Sequence, residues 1–399
     1  MLKVLVALAL TGCLSEPEKP PGHSPEIRKE TLVADLDGDG KDDLVAWGHA
    51  GDPRQDADLL ISWGGNVPGA MPDLTLALAN EQFAPWHEIL GATLVTSTRD
   101  ASLRELLVLL GEDRALPPDG ISSRKVYAVT ITFENHQART ITTSPDFVGQ
   151  SNLGGYADAE TFAFVAAHDT TVGGQIHMIH GSDTVFFDHG LPLDTSTATF
   201  KEAKLTARDG TEKVQGVYAL LPGTDGREDF LVATDHRVAI TSGDAGDFGF
   251  AAEKPLPATT RRFTRARTFG TTATWLVGAA PDVPTASLVR VAPSTGFALE
   301  VTGFEEEHAA TDLALVQFLT HSDIDVVALE GGELAAYENI SLATGNHDAR
   351  IAIDAANRDV LVVGHFIDGE DLILLYDSGN PLAAPICFRG PLFGACPST

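Results

Sequence analysis

Basic residues are scarce in this chain. Among 399 residues, 27 Lys and Arg stand against 56 Asp and Glu, a formal net charge of −29. So negative a surface repels phosphate backbones, and no Lys/Arg cluster is present to track one, so nucleic acid is not an expected partner. Long apolar runs are missing as well: outside residues 4–10 nothing approaches the roughly 20 residues that a bilayer-crossing helix needs, and no membrane span is expected. The sequence also lacks any G-x-S-x-G, H-E-x-x-H, P-loop or dinucleotide fingerprint, which removes the usual sequence grounds for naming an enzyme. What remains is 43% hydrophobic and 21% charged. That is enough apolar surface to offset the entropy of ordering the chain, and it excludes a disordered acidic tail.

The first thirteen residues, MLKVLVALALTGC, place one cation at Lys3 before an apolar stretch from Val4 to Leu10 and small residues at Thr11 and Gly12. A short apolar core behind a positive start reads as a secretory signal. Leu10-Thr11-Gly12-Cys13 resembles the lipobox of bacterial lipoproteins, which implies cleavage before Cys13 and acylation of that cysteine; an ordinary signal with an incidental cysteine is the alternative. Acyl chains contribute about 0.8 kcal/mol per buried methylene, so several of them would hold a soluble body at the bacterial cell envelope, on the outer membrane, facing periplasm or surface. Residues 14–26 contain four prolines and alternating charges, a composition suited to an extended, solvated tether. The expected division is therefore a signal over 1–12, a tether over 13–26 and one folded domain over 27–399. Cys387 and Cys396 remain, in the Pro/Gly-rich tail CFRGPLFGAC. In an oxidising compartment they suit a disulfide that pins the C-terminus, with two buried free thiols as the alternative.

A degenerate repeat runs through the folded part. DDLVAWG (from Asp42), RELLVLLG (Arg104), ETFAFVAA (Glu160), EDFLVATD (Glu228), TWLVGAAP (Thr274), IDVVALEGG (Ile324) and EDLILLYDSG (Glu370) each put about five apolar residues after a polar or acidic one. A second apolar stretch usually follows, and a third precedes, as in ETLVADL, EILGATLV, KVQGVYALL, TDLALVQFL and RDVLVVGHF. Short runs rich in Val, Leu, Phe and Tyr and punctuated by Gly, Asp and Pro are strands. The mean spacing of roughly 55 residues suits four strands per unit. The expected fold is all-β, a seven-bladed β-propeller with four-stranded blades, since radial repetition leaves only short, protected sheet edges. A pair of β-sandwiches or a β-helix is the alternative.

The segment Val33-Ala34-Asp35-Leu36-Asp37-Gly38-Asp39-Gly40-Lys41-Asp42-Asp43-Leu44-Val45 carries the most specific chemistry. Carboxylates at alternate positions, with a glycine where the backbone must turn, wrap oxygens around a hard cation, and Ca²⁺ accepts six to eight such ligands. The expected ligands of a single Ca²⁺ are Asp35, Asp37, Asp39, the Lys41 carbonyl and Asp43. Without a cation, carboxylates this close repel one another. An EF-hand opens in the same way but needs an acid at its twelfth position, which is Ala46 here, and flanking helices, where these flanks are strand-like. An acidic turn that binds nothing is the alternative.

On these residues the chain resembles the FG-GAP or VCBS repeat family, calcium-loop propellers related to the integrin alpha-chain head. ADLDGDGKDDLVAWG carries the family loop, and TFGTTATWLVGAAP carries the Phe269-Gly270 pair and a near G-A-P at Gly278 to Pro281 without an acidic loop. The resemblance implies a calcium-stabilised propeller. PGTDGREDF matches only at Asp225 and Asp229, HFIDGEDL is one residue short around Asp368 and Asp371, and THSDIDVV lacks the glycine turn, so one calcium site is expected.

Histidines and tryptophans add little. His177 and His180 are three apart, which on a strand sends them to opposite faces. Glu305 to His308 read as a solvated acidic loop. His168-Asp169 and Asp188-His189 are neighbours with no nucleophile at hand, and Ser182 lacks an elbow motif. Trp47 and Trp63 are expected in the core and Trp86 at the surface. The functional expectation is a non-enzymatic, monomeric module that binds an envelope protein or glycan. A polysaccharide hydrolase or lyase working in the propeller channel and a structural subunit of a surface assembly are the alternatives.

Overall fold

The computed structural model describes residues 29–48, 58–69, 71–78, 87–96, 104–112, 125–143, 161–169, 173–181, 184–192, 202–206, 214–220, 230–241, 250–260, 262–263, 267–269, 273–292, 298–318, 324–337, 349–353, 358–369, 371–377 and 384–396. Among them every regular element is a strand. Blade 1 holds β1 (Lys29–Ala34), β2 (Asp43–Gly48), β3 (Asp58–Ser62) and β4 (Leu74–Ala77); blade 2 holds β5 (His87–Thr96), β6 (Arg104–Glu112), β7 (Lys125–Glu134) and β8 (Gln137–Thr143). Blade 3 holds β9 (Thr161–Asp169), β10 (Gly173–Gly181), β11 (Thr184–Pro192) and β12 (Glu202–Thr206); blade 4 holds β13 (Val214–Ala219), β14 (Phe230–Thr234), β15 (Arg237–Thr241) and β16 (Phe250–Pro255). In blade 5 the first strand is split into β17 (Arg262–Phe263) and β18 (Arg267–Phe269), ahead of β19 (Ala273–Ala279), β20 (Thr285–Ala292) and β21 (Ala298–Glu305). Blade 6 holds β22 (Ala310–Val316), β23 (Asp325–Glu330), β24 (Glu333–Tyr337) and β25 (Ala349–Ala352), and blade 7 holds β26 (Val360–Gly364), β27 (Leu372–Tyr376), β28 (Ile386–Arg389) and β29 (Gly394–Ala395).

Each sheet is an antiparallel meander of sequence neighbours. Inner strands touch in turn around a ring: the first strands β1 and β5, β5 and β9, β9 and β13, and β13 and β17 meet, then the second strand of blade 5, β19, meets β22, β22 meets β26, and β26 returns to β1. Such an arrangement is a β-propeller, and the seven sheets among the described residues fit the seven blades expected from the repeat.

The apolar runs are explained by where the second strands sit. β23 and β27 are buried at every residue because a neighbouring blade covers each face, so a continuous apolar run replaces alternation. The outer strands β4 and β25 have no fully buried residue and alternate or face solvent. The core therefore lies between blades. Leu59, Ile61, Leu106 and Ile131, all at 0% exposure, interlock blades 1 and 2, and full burial of one such side chain contributes about 1.5 to 3 kcal/mol. Two-residue turns with left-handed backbone close two of the hairpins, Gly331-Gly332 between Glu330 and Glu333 and Asn135-His136 between Glu134 and Gln137, as the twist of paired strands favours.

One repeat unit differs from expectation. The acidic start of ETFAFVAA aligns it with the second strands, yet residues 161–169 form β9, the first strand of blade 3, and the stretch around Gln175 is the second. An apolar run of this length suits either buried position, so composition alone does not fix the register.

Among the described residues, blades 1 and 7 close the ring without exchanging a strand. Val33 and Leu44 pack against Val360, Val362, Phe366, Leu372, Leu374 and Tyr376. Asp42 N donates to His365 O at 2.8 Å, His365 N donates to Asp42 Oδ2 at 2.8 Å, and Gly65 N donates to Phe366 O at 2.7 Å.

Candidate metal centre

The loop from Asp35 to Asp42 joins β1 to β2. Its shape follows from its own side chains. Asp35 Oδ1 accepts from Gly38 N at 2.7 Å and its Oδ2 from Gly40 N at 3.1 Å; Asp37 Oδ1 accepts from Asp39 N at 3.2 Å, and Asp39 Oδ1 from Lys41 N at 2.8 Å. Short acidic side chains that bond backbone amides a few residues ahead favour turns over continued strand. Gly38 and Gly40, at φ of 81° and 88°, supply the left-handed backbone these turns require.

The result is a convergence: one oxygen from each of Asp35, Asp37 and Asp39 lies within 4.8 Å of the others. Oxygens on one Ca²⁺ each sit about 2.3–2.6 Å from the ion, so two ligands of one ion are at most about 5 Å apart. These three hard oxygen donors meet that requirement and suit Ca²⁺ in chemistry. Asp43 stands at the base of the loop with 1% exposure, its Oδ2 accepting from Leu36 N at 2.8 Å and its Oδ1 from Gly64 N at 2.7 Å. Burial pushes its carboxyl up to about 7; the two amides pull it down, and the charges of Asp37 and Asp35 add to the upward push. A cation beside those carboxylates would reverse the charge contribution. Lys41 sends its ammonium to within 3.8 Å of Asp368 Oδ1 on blade 7.

The loop touches both neighbouring blades. On the blade 2 side, His136 Nε2 lies 3.2 Å from Asp37 Oδ2, and the His136 ring stacks on Trp63 with centroids 5.0 Å apart. On the blade 7 side are Asp42 and Lys41. Asp42 has an equivalent: it directly precedes β2 as Asp371 directly precedes β27, and Asp371 Oδ2 accepts from Gln317 N of blade 6 at 3.0 Å. Asp312 makes a third such link, its Oδ2 accepting from Leu361 N at 2.8 Å. Sequence reasoning misses these blade-joining acids, although an acid immediately before the second strand is the trace that Asp42 and Asp371 leave.

The acidic segment around Glu305 is a correction. Rather than being solvated throughout, it buries Glu306 at 6% exposure, with Oε2 accepting from Ala310 N at 3.1 Å and Oε1 finding no partner among the described residues. Burial, and then the nearby Glu330 charge, push the Glu306 carboxyl up to about 8. Glu330, at 0% exposure, accepts from the Tyr337 hydroxyl, from Arg350 Nη2 at 2.6 Å and from His308 N at 3.2 Å. Burial, followed by that bond to Glu330, keeps the Tyr337 hydroxyl protonated. Arg350 Nη1 reaches Glu333 at 3.1 Å, and its Nε lies 3.2 Å from Glu307 Oε2, near enough for an ion pair but out of line for a hydrogen bond. The network surrounds the Glu330–Glu333 hairpin, at the opposite end of the blade from the β1–β2 loop position.

His177 and His180 lie on β10, His168-Asp169 ends β9 and Asp188-His189 lies in β11. Trp47 and Trp63 are buried. Cys387 and Cys396 are joined by a disulfide with Cα atoms 5.6 Å apart, packed against the blade 1–blade 7 cluster. Cys13, Trp86, Ser182, Asp225 and Asp229 lie outside the described residues.

No protein-family model and no curated protein matches the chain. Among solved structures it is similar to the β-propeller domain of Cps50 (Swd1) from Myceliophteria thermophila, at 12% identity and TM-score 0.45 over 89% of this chain and 97% of that one. It is also similar to the Hadza microbial sialidase Hz136, at 10% identity and TM-score 0.38 over 88% of this chain and 73% of that one.

Proposed function

We propose that this chain is a calcium-stabilised propeller of FG-GAP/VCBS type, lipid-anchored through Cys13 at the bacterial cell envelope, whose body binds an envelope protein or glycan without catalysing a reaction. The observation that carries the reading is the convergence of Asp35, Asp37 and Asp39 on glycine turns between two strands of one blade. Three carboxylates held together by the fold cost stability through mutual repulsion unless a cation compensates. In the extracytoplasmic space Ca²⁺ at about 10⁻⁴ to 10⁻³ M matches the affinities of such modules, so the ion acts as a staple of the first blade. The lipobox-like start, the proline-rich tether and the absence of catalytic fingerprints support the address and the binding role. The buried acids of blade 6 are read as structural, since Glu330 is engaged by Tyr337 and Arg350.

Calcium titration calorimetry on the full chain, paired with thermal melting in Ca²⁺ and in EDTA, tests the reading. One binding event and a higher midpoint in Ca²⁺ are expected; no heat and an unchanged midpoint would overturn it. Capture from envelope extract with and without chelator then tests the binding role.

A further inference from the structure

We infer that the Asp35–Asp39 loop is the clasp of the ring: cation occupancy there governs how firmly blade 7 closes on blade 1. The inference rests on the calcium reading above and concerns residues that are not in the carboxylate cluster. Among the described residues every sheet is built from consecutive strands, so no described strand of the first blade is woven into the last, and their joint is held by contacts between blades. Beside the bond from Gly65 N to Phe366 O, its polar half rests on the two residues that end the acidic loop. Asp42 and His365 exchange two hydrogen bonds of 2.8 Å, one backbone to backbone and one from His365 N to the Asp42 carboxylate. Lys41 reaches Asp368 at 3.8 Å.

The same two residues are tied to the acids. Lys41 N donates to Asp39 Oδ1 at 2.8 Å, so only one peptide unit separates a carboxylate of the cluster from Asp42. Within blade 1, just after β3, Gly64 lies so close to Lys41 that a Cβ there would meet the Lys41 Cβ at 2.7 Å. Its amide holds Asp43 Oδ1, and the next amide, Gly65 N, holds Phe366 O. Displacement of Asp39 by charge repulsion is thereby transmitted to the contacts that Lys41 and Asp42 make across the joint, and a cation that draws the three acids together fixes Lys41 and Asp42 where His365 meets them. By linkage, closing the ring must in turn tighten cation binding. The joint between blades 6 and 7 uses the equivalent acid, Asp371, on Gln317 N, but Asp371 Oδ1 also lies 4.0 Å from His365 Nδ1, so the Asp312–Leu361 bond of that joint serves as the internal control.

Amide hydrogen exchange on the full chain in CaCl₂ and in EDTA reads the coupling directly. Exchange at Asp42, Gly65 and His365 is expected to slow by about fivefold or more in Ca²⁺, with Leu361 changing less. Calorimetric binding without preferential slowing at those three amides would overturn the clasp while leaving the calcium reading intact; absence of binding would overturn both. A second measurement is the Ca²⁺ affinity of Asp42→Ala and Asp42→Asn. The alanine variant, which alters no member of the cluster, is expected to bind about fivefold more weakly, and the asparagine variant, which keeps an acceptor for His365 N, close to the parent. Equal affinity in all three would refute the coupling, and the exchange measurement decides the matter should Asp42→Ala fail to fold.

Discussion

Asp371 Oδ2 accepts a hydrogen bond from Gln317 N at 3.0 Å, across the joint between blades 6 and 7. The carboxylate is 4% exposed, so its removal takes the acceptor from a part-buried backbone donor. An unsatisfied buried group of this kind costs about 1 to 3 kcal/mol. Asp371→Ala is expected to lower stability by that amount in chemical denaturation, and Asp371→Asn, which keeps an acceptor, by less. Equal losses in the two variants would show that the amide of Gln317 is not what the acid serves.

Gly364 ends β26 where blade 7 presses on blade 1. A Cβ at this position would sit 2.6 Å from Val33 Cγ1 and 2.9 Å from Phe366 Cζ, distances that carbon atoms do not tolerate. Neither neighbour has room to retreat, since Val33 is 4% and Phe366 0% exposed. Overpacking of a core costs about 1 to 3 kcal/mol. Gly364→Ala is expected to lower the melting midpoint and Gly364→Val to lower it further; an unchanged midpoint in Gly364→Ala would mean that the two blades do not meet this closely.

Much of this architecture is legible in the amino-acid order, for a definite reason. Strands such as Leu372–Tyr376 are covered on both faces, so the repeat leaves runs of apolar residues that no solvent-facing strand would show. The turns of the acidic loop are legible because Asp35, Gly38 and Gly40 act within a few residues of one another. What distance in sequence hides is different. The pairing of Asp42 with His365 spans 323 residues, and nothing local to either residue announces it. Glu306 escapes a sequence reading because acidic neighbours usually mean solvent, whereas here one member of a run of three glutamates turns inward beside Glu330. ETFAFVAA falls one strand out of register because an apolar run does not state which of two buried strands it forms.

The Cys387–Cys396 bridge joins β28 to the residue after β29, with a sequence separation of 9. Closing a loop this short in the unfolded chain is worth about 2 to 3 kcal/mol on the chain-entropy view. Both cysteines pack against the apolar cluster between blades 7 and 1, so the loss is expected to fall on that joint. Reduction, or Cys387→Ala with Cys396→Ala, should lower the denaturation midpoint and raise proteolytic cleavage near the C-terminus. Cleavage unchanged by reductant would show that the hairpin holds without its bridge.

Glu306 gives the chain a pH dependence whose sign can be worked out. Its carboxyl is raised from the ordinary 4.5 to about 8 by burial first and by Glu330 second, against the opposing pull of Ala310 N. Below about pH 4.5 the group is neutral whether the chain is folded or not, and it costs nothing. Between the two values the unfolded chain gives up the proton and the folded chain keeps it, so stability falls as pH rises and the loss is complete above about pH 8. Each tenfold change in proton affinity between the two states corresponds to about 1.4 kcal/mol, so the full loss is on the order of a few kcal/mol. Glu330 of β23 acts on the carboxyl, and Glu330 is itself held by His308 N, Tyr337 of β24 and Arg350 of β25, with Glu307 beside Arg350, so a comparison of variants must leave these intact. Glu306→Gln does so and keeps an oxygen for Ala310 N. The variant is expected to melt with the parent near pH 4.5 and above it at pH 8, the gap widening steadily between. A gap of constant size across that range would mean that Glu306 is ionised in the folded chain, and that its Oε1 faces a compensating group.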